Sequence, residues 1–209
     1  AIETEFDALD VRAIRVGGAD RYATSVAVAK KVVDVYDDDF INDPIIATGE
    51  YFPDALTAAP YAAFEGRPIL LTNSSSLPAS VSDFLKDQGK EAGVKGLDVV
   101  VAGGAAAVSE NVISQLNKLK FRAGGTDNKV FDTVTRVWGA DRYATAVELG
   151  KEFKTIIKDK ISTFLDGGIG GRMYLATGED FADALTGAPL AAMNGTGILL
   201  VNKDGIPGS

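Results

Sequence analysis

Two periods alternate along the chain. Short runs dominated by Val, Ile and Leu, bounded by Gly, Pro or Asp, predict strands at 13–16, 44–47, 68–72 and 97–102. Between them, apolar residues recur at intervals of three and four, the spacing of one helix face. The first such stretch predicts a helix over 21–36, with Tyr22, Val26, Ala29, Val33 and Tyr36 on its apolar side. A second, 54–65, is rich in Ala and holds Pro60 in its interior, where a missing N–H predicts a kink. A third, 78–90, opens on Pro78, an ordinary first-turn position, and a fourth, 108–119, follows Gly103-Gly104. Strands and helices in this alternation predict an α/β layered fold with a mainly parallel sheet.

The pattern then starts again. Arg15-Val16-Gly17-Gly18-Ala19-Asp20-Arg21-Tyr22-Ala23-Thr24-Ser25-Val26 recurs as Arg136-Val137-Trp138-Gly139-Ala140-Asp141-Arg142-Tyr143-Ala144-Thr145-Ala146-Val147, ten of twelve positions being identical at an offset of 121. Ala47-Thr48-Gly49-Glu50-Tyr51-Phe52-Pro53-Asp54-Ala55-Leu56-Thr57-Ala58-Ala59-Pro60 recurs as Ala176-Thr177-Gly178-Glu179-Asp180-Phe181-Ala182-Asp183-Ala184-Leu185-Thr186-Gly187-Ala188-Pro189, eleven of fourteen at an offset of 129. The change of offset places an insertion in the second copy, and Gly167-Gly168-Ile169-Gly170-Gly171 is its natural loop. The helix face of the second copy reads Tyr143, Ala146, Gly150, Phe153 and Ile157. Pro68-Ile69-Leu70-Leu71 matches Gly197-Ile198-Leu199-Leu200, but the counterpart of Val99 would fall at position 228, beyond Ser209. The expected organisation is a first repeat over 1–123, a linker over 124–135 centred on Ala123-Gly124-Gly125-Thr126-Asp127-Asn128, and a second repeat over 136–209 cut short at its C-terminus, as in a piece of a longer protein.

Each duplicated motif lies just after a predicted strand. In a parallel sheet these loops open together at the carboxyl edge, where open α/β sheets bind ligands and where helix N-termini offer free N–H groups to anions.

Composition narrows the chemistry. With no His and no Cys among 209 residues, a Ser-His-Asp triad, a Cys nucleophile, a thiolate or imidazole metal site and a disulfide are all excluded. The net charge of −8 argues against nucleic acid, whose binding relies on Lys and Arg displacing counterions. No apolar run reaches the ~20 residues of a membrane helix. The start, Ala1-Ile2-Glu3-Thr4-Glu5, lacks the basic and apolar regions of a signal peptide, as expected of a mature secreted chain or a trimmed one.

Asp20 and Asp141 stand one residue before a helix, where a carboxylate caps the N–H two or three residues on. Arg21 and Arg142 follow on the first turn, where the helix dipole disfavours a cation. Two explanations stand: an internal partner among Glu50, Glu179, Asp54 and Asp183, or anchoring of an anionic ligand. Glu50 and Glu179 sit in a Thr-Gly-Glu turn; Asp54 and Asp183 fit a helix start, although Glu50 with Asp54 could also form an acid–base pair. Ser74, Ser75 and Ser76 follow the third strand as hydroxyl donors. Asp37-Asp38-Asp39, replaced by Lys158-Asp159-Lys160 in the second copy, reads as a solvated loop rather than a metal cluster, and Tyr22 and Tyr143 as core residues. No metal ligand set and no cofactor are expected.

Taken together, Arg-x-x-Gly-x-Asp-Arg-Tyr-x-Thr at 15–24 and 136–145, Ala-Thr-Gly-Glu-x-Phe-x-Asp-Ala-Leu-x-x-x-Pro at 47–60 and 176–189, Ile-Leu-Leu at 69–71 and 198–200, and the Val-rich strand ending Gly103-Gly104 resemble the cell wall binding repeat type 2 family. The resemblance covers nearly the whole chain. It implies Toprim-like α/β modules, usually three in tandem with a pseudo-threefold arrangement. Such modules anchor surface-layer and other secreted surface proteins of Gram-positive bacteria non-covalently to anionic secondary wall polysaccharides. On that reading the chain is non-catalytic and sits at the cell wall. Its ligand residues are Arg21, Arg142, Asp20, Asp141, Glu50, Glu179, Asp54, Asp183, Ser74 and Ser75, and its partners are the polymer and sister repeats or further copies, with neither nucleic acid nor membrane. The rival expectations are self-assembly through the Ala-rich segments 55–63 and 184–192, and a metal-assisted phosphoryl-transfer or hydrolytic enzyme built on Glu50 and Asp54.

Overall fold

The computed structural model describes residues 5–6, 9–10, 12–35, 43–93, 96–161 and 173–207, with the backbone alone for 156–161. Tyr36, Asp37-Asp38-Asp39, the Gly167–Gly171 loop and the side chains of Ile157 and Lys158-Asp159-Lys160 lie outside the described residues.

In chain order the elements are α1 (Arg21–Val35), β1 (Ile45–Thr48), α2 (Pro53–Glu65), β2 (Ile69–Thr72), α3 (Ala79–Ala92), β3 (Leu97–Ala102), α4 (Glu110–Lys118), β4 (Lys120–Ala123), β5 (Thr126–Lys129), β6 (Phe131–Val137), α5 (Arg142–Ile161), β7 (Tyr174–Thr177), α6 (Ala182–Met193) and β8 (Ile198–Val201). The main sheet has the order β2-β1-β3-β6 with every pair parallel. A second pair, β7 with β8, is also parallel and repeats the β1–β2 register. The α/β class with a mainly parallel sheet is therefore as expected.

Alternation along the strands divides the core. Ile46, Leu70, Val99 and Val101 face α1, α3 and α4 through Val26, Ala29, Val81, Phe84, Leu85, Val112 and Leu116. Ile45, Ala47, Val100 and Ala102 face the other way, onto Ala58, Tyr61 and Ala62 of α2 and onto Leu149 and Phe153 of α5. Residues buried on both faces explain why β1 and β3 read as continuous apolar runs. α2 continues through Pro60 and stops at Gly66, whose left-handed conformation (φ 66°) lets its N–H close on the Ala62 and Ala63 carbonyls.

Two expectations are corrected. Residues 13–16 form no strand: the backbone over 12–18 is irregular, and Ile14 is 66% exposed. The edge of β3 away from β1 is taken by β6, which ends on the first two residues of the second copy's motif, Arg136 and Val137. Secondly, the stretch expected as a linker is ordered structure. β4 and β5 form an antiparallel hairpin across Gly124-Gly125, both at positive φ, and β6 follows directly. β6, which runs into the second repeat at Arg136, thus completes the first repeat's sheet, and α5 of the second repeat packs on the face that carries α2.

Candidate functional site

The first-block motif builds the same helix start twice. The Ala23 N–H donates to Asp20 Oδ1 at 2.7 Å, and the Ala144 N–H to Asp141 Oδ1 at 2.8 Å. The Gly18 and Gly139 N–H groups donate to Thr24 Oγ1 and Thr145 Oγ1, each at 3.0 Å. A Cβ on either glycine would meet the following turn, 2.5 Å from Ala23 or 2.4 Å from Ala144. Asp20 and Asp141 are therefore caps, and this geometry accounts for Gly, Asp and Thr at fixed spacing.

Arg21 and Arg142 also have internal partners, but not the carboxylates expected from sequence. Arg21 Nη1 donates to the Gly49 carbonyl at 2.5 Å, and Arg142 Nη1 to the Gly178 carbonyl at 2.6 Å. Each bond ties a helix start to the turn after β1 or β7, so both arginines stand at a carboxyl edge. Gly49 and Gly178 are small for a reason: a Cβ there would lie 2.9 Å from the Tyr22 ring and 2.7 Å from the Tyr143 ring. Those rings pack against the core, as expected. Both arginines remain exposed at the surface, with one guanidinium nitrogen bonded to the turn. A cation at an N-terminal turn thus gains a carbonyl and keeps donors for a second partner.

Glu50 and Asp54 have different surroundings. Glu50 accepts from the Ser74 N–H and the Ser74 hydroxyl, both at 2.9 Å. These bonds, with the Arg21 charge nearby, hold its carboxyl below the usual carboxylate range. Ser74 therefore spends both donors on Glu50. Ser75 is exposed; its N–H goes to Asn73 Oδ1, and its carbonyl accepts from Asn111 Nδ2 at 2.8 Å. Asp54 packs against Gly103, where a Cβ would fall 2.4 Å from its Oδ2 and where φ is 110°. Burial pushes its carboxyl up, and the charge of Arg142 from the second repeat acts in the opposite direction. In the second repeat Glu179 and Asp183 are both exposed, and the Glu179 N–H donates to Thr177 Oγ1 at 3.1 Å.

Three contributors were not singled out from sequence. Arg136 Nη1 donates to the Gly103 and Val108 carbonyls, both at 2.8 Å, and Nη2 meets Glu110 at 3.0 Å. Its recurrence as Arg15 was the available signal. Trp138, 54% exposed, lies against Gly104 at the end of β6. Asn73 knits the serine loop by accepting from the Ser75 and Ser76 N–H groups. The first sheet's carboxyl edge therefore carries Arg21, Glu50, Ser74, Gly103, Gly104 and Trp138, with Asp54 close enough to feel the charge of Arg142 at the junction of the two repeats.

Comparison with known proteins agrees with this layout. The family model for cell wall binding domain 2 (CWB2) matches residues 15–113 and 136–208, breaking where the hairpin and most of β6 intervene. The chain belongs to the cell wall binding domain 2 family. Cwp6 from Clostridium difficile superposes with a TM-score of 0.72 at 27% identity, over 99% of this chain and 28% of its own. Cwp8 from the same organism gives 0.67 at 26% identity, over 95% of this chain and 28% of its own. Among curated proteins of Bacillus subtilis (strain 168), the N-acetylmuramoyl-L-alanine amidase LytC is 29% identical over 192 residues, and a protein described as an amidase enhancer is 32% identical over 193. This chain spans 32% of the first and 21% of the second. The CWB2 assignment places the chain's role in association with the cell wall.

Proposed function

We propose that the two CWB2 repeats form a non-catalytic anchor that holds a secreted bacterial surface protein on an anionic wall polysaccharide. The observation that carries this reading is the duplicated Arg21 and Arg142 geometry. Each guanidinium is bonded to a turn carbonyl at a sheet's carboxyl edge while remaining exposed. A pre-positioned arginine loses less side-chain entropy on meeting a phosphate or carboxylate than a free one does. Capped helix starts lie alongside. The polymer's anionic groups meet Arg21 and Arg142. Ser75 adds polar contacts, whereas Asp20, Asp141, Glu50 and Ser74 hold the edge in shape. The net charge of −8 does not oppose this, since affinity is local to the edge and the remaining surface is screened over ~8 Å at physiological salt. The amidase-related names of the Bacillus relatives belong to proteins of which this chain matches a third or less, so those names supply no argument for a hydrolytic role here.

Co-sedimentation with purified walls tests the proposal. The chain should pellet with intact walls and remain soluble with walls whose anionic polymer has been chemically extracted. Equal pelleting with both would sink it.

A second reading, assembly of repeats with one another, has its own observation. Tyr61 and Phe64 of α2 pack on Phe153 of α5, whereas their counterparts on α6, Leu190 and Met193, are 49% and 86% exposed. Light scattering that shows stable oligomers without polymer affinity would favour it.

A further inference from the structure

The second copy of the opening motif carries a residue that the first lacks. At the repeat offset of 121, Trp138 stands where the first copy has Gly17. The helix start that follows is built alike in both, so the indole is not needed to form it. Nor is it buried: Trp138 is 54% exposed, with its six-membered ring lying against Gly104, where a Cβ would come within 3.3 Å of it. It borders a groove of about 340 Å³ between the end of β6 and α5, whose lining also includes Thr135, Glu148, Lys151, Glu152 and Thr155. Lys151 Nζ donates to Glu148 Oε1 at 2.6 Å, and the Thr155 hydroxyl to the Lys151 carbonyl at 3.1 Å. Arg136, also on the groove, spends its guanidinium on the Gly103 and Val108 carbonyls and on Glu110. The first repeat has a groove in the matching place, between its opening segment and α1. There Gly17, Ala27, Lys31 and Asp34 stand for Trp138, Glu148, Glu152 and Thr155.

We propose that this groove is a binding site for an uncharged sugar ring of a wall glycan, with Trp138 as its stacking surface. A pyranose presents a face of C–H groups, whose partial positive charge is drawn to the negative face of an indole. It also presents a rim of hydroxyls that need donors and acceptors. The groove supplies both kinds of contact. Glu148, Glu152 and the two threonine hydroxyls accept, and Lys151 donates. Charge decides against the polymer's anionic groups here. Glu148 already neutralises Lys151, Glu110 engages Arg136, and Glu152 adds a further negative charge. The volume falls in the ~300–1,000 Å³ range of small-ligand clefts. Contact with Gly104 restricts the indole before binding, which lowers the entropy lost on meeting a ligand. Trp138 precedes Arg142 by four residues, under ~15 Å of chain, so one polymer can meet the indole with a sugar and the arginine with an acid group. The inference rests on the wall-anchoring reading and adds to it a sugar class and a site that the first repeat lacks.

The test reads the site directly, because Trp138 is the chain's single tryptophan. Indole emission of the full chain is followed while purified wall polysaccharide, or soluble peptidoglycan strands from the same walls, is titrated in. A saturable change with either supports the site and says which glycan supplies the sugar. Calorimetry with the responding glycan then compares variants that melting curves show to be folded. Trp138→Gly, the first repeat's residue, should bind at least about fivefold more weakly than wild type, and Trp138→Phe within about twofold of it. Binding without a change in emission, no binding of either glycan, or a Trp138→Gly variant that binds as tightly as wild type would overturn the proposal. Arg21→Ala with Arg142→Ala separates the two readings. Loss of affinity in that double variant but not in Trp138→Gly removes the stacking surface and leaves the arginines; the reverse removes the arginines and leaves the indole.

Discussion

The two repeats carry nearly the same motifs and stand in different surroundings, and the difference separates what a motif does alone from what a neighbour supplies. Helix starts are self-contained. Asp20 and Asp141, Thr24 and Thr145, and Arg21 and Arg142 make matching bonds within a few tenths of an ångström. Burial is not self-contained. The first repeat's α2 is covered by α5 and α6, and Asp54 is enclosed by Gly103 with Arg142 nearby. On α6 the equivalent large residues, Leu190 and Met193, and Asp183 are exposed. The first repeat therefore has a sheet extended by β6 and a helix covered by α5 and α6, whereas those three residues of the second stay open to solvent.

The largest test of this asymmetry lies at the junction. Phe153, 2% exposed, packs edge-on against Phe64 at 5.4 Å and against Tyr61 at 5.9 Å. Phe153→Ala should cost about 3–5 kcal/mol in denaturant unfolding. Val32→Ala, at the equivalent position of α1, should cost about 1 kcal/mol or less, being only partly buried. Similar losses at both sites would erase the distinction. Next comes Arg136, whose side chain is 15% exposed and bonded to two carbonyls and Glu110. Arg136→Ala should cost about 2–3 kcal/mol, since charged hydrogen bonds are lost and carbonyls left unpaired. Arg15→Ala should cost less, and a larger loss there would contradict the assigned roles.

The smallest effect is a pH dependence. Asp54 has a folded pKa raised by burial, so the native state holds its proton more tightly than the unfolded state does. Its contribution favours the fold as pH falls towards and below the raised value, and fades as pH rises through it. Glu50 has the opposite sign: its lowered pKa supports the fold at neutral pH, and that support is lost as acid protonates it. Asp54→Asn should therefore flatten the stability profile in the weakly acidic range, leaving the Glu50 loss at lower pH. An unchanged profile in Asp54→Asn, read from melts between about pH 3 and 7, would remove the junction from the explanation.

Most of this architecture is legible in the residues because it follows from local periodicity. β1, β2 and β3 stand within a residue of their predicted places, and the caps at Asp20 and Asp141 match their motif. What was not legible depends on partners distant in sequence. Residues 13–16 have strand-forming side chains, but among the described residues they pair with no strand. β6 has an edge, supplied by β3, and forms a strand despite three polar residues among its first five. Gly124-Gly125 was read as a linker signal; the same pair also fits a two-residue hairpin turn, and the flanking polar residues hid that alternative. The partners of Arg21 and Arg142 were missed for a related reason. Charge pairing pointed to carboxylates, whereas the bonds formed are to strand-end carbonyls that no residue type advertises.

On the proposed function, the exposed arginines of the two repeats, each bonded to a strand-end carbonyl, carry the affinity for anionic wall polymer. Calorimetric titration of the purified polymer into wild type and into the Arg21→Ala, Arg142→Ala double variant, with melting curves confirming that the variant is folded, tests this most directly. The double variant should lose at least about tenfold in affinity, and wild-type binding should weaken as salt rises. A folded double variant that binds as tightly as wild type would contradict it.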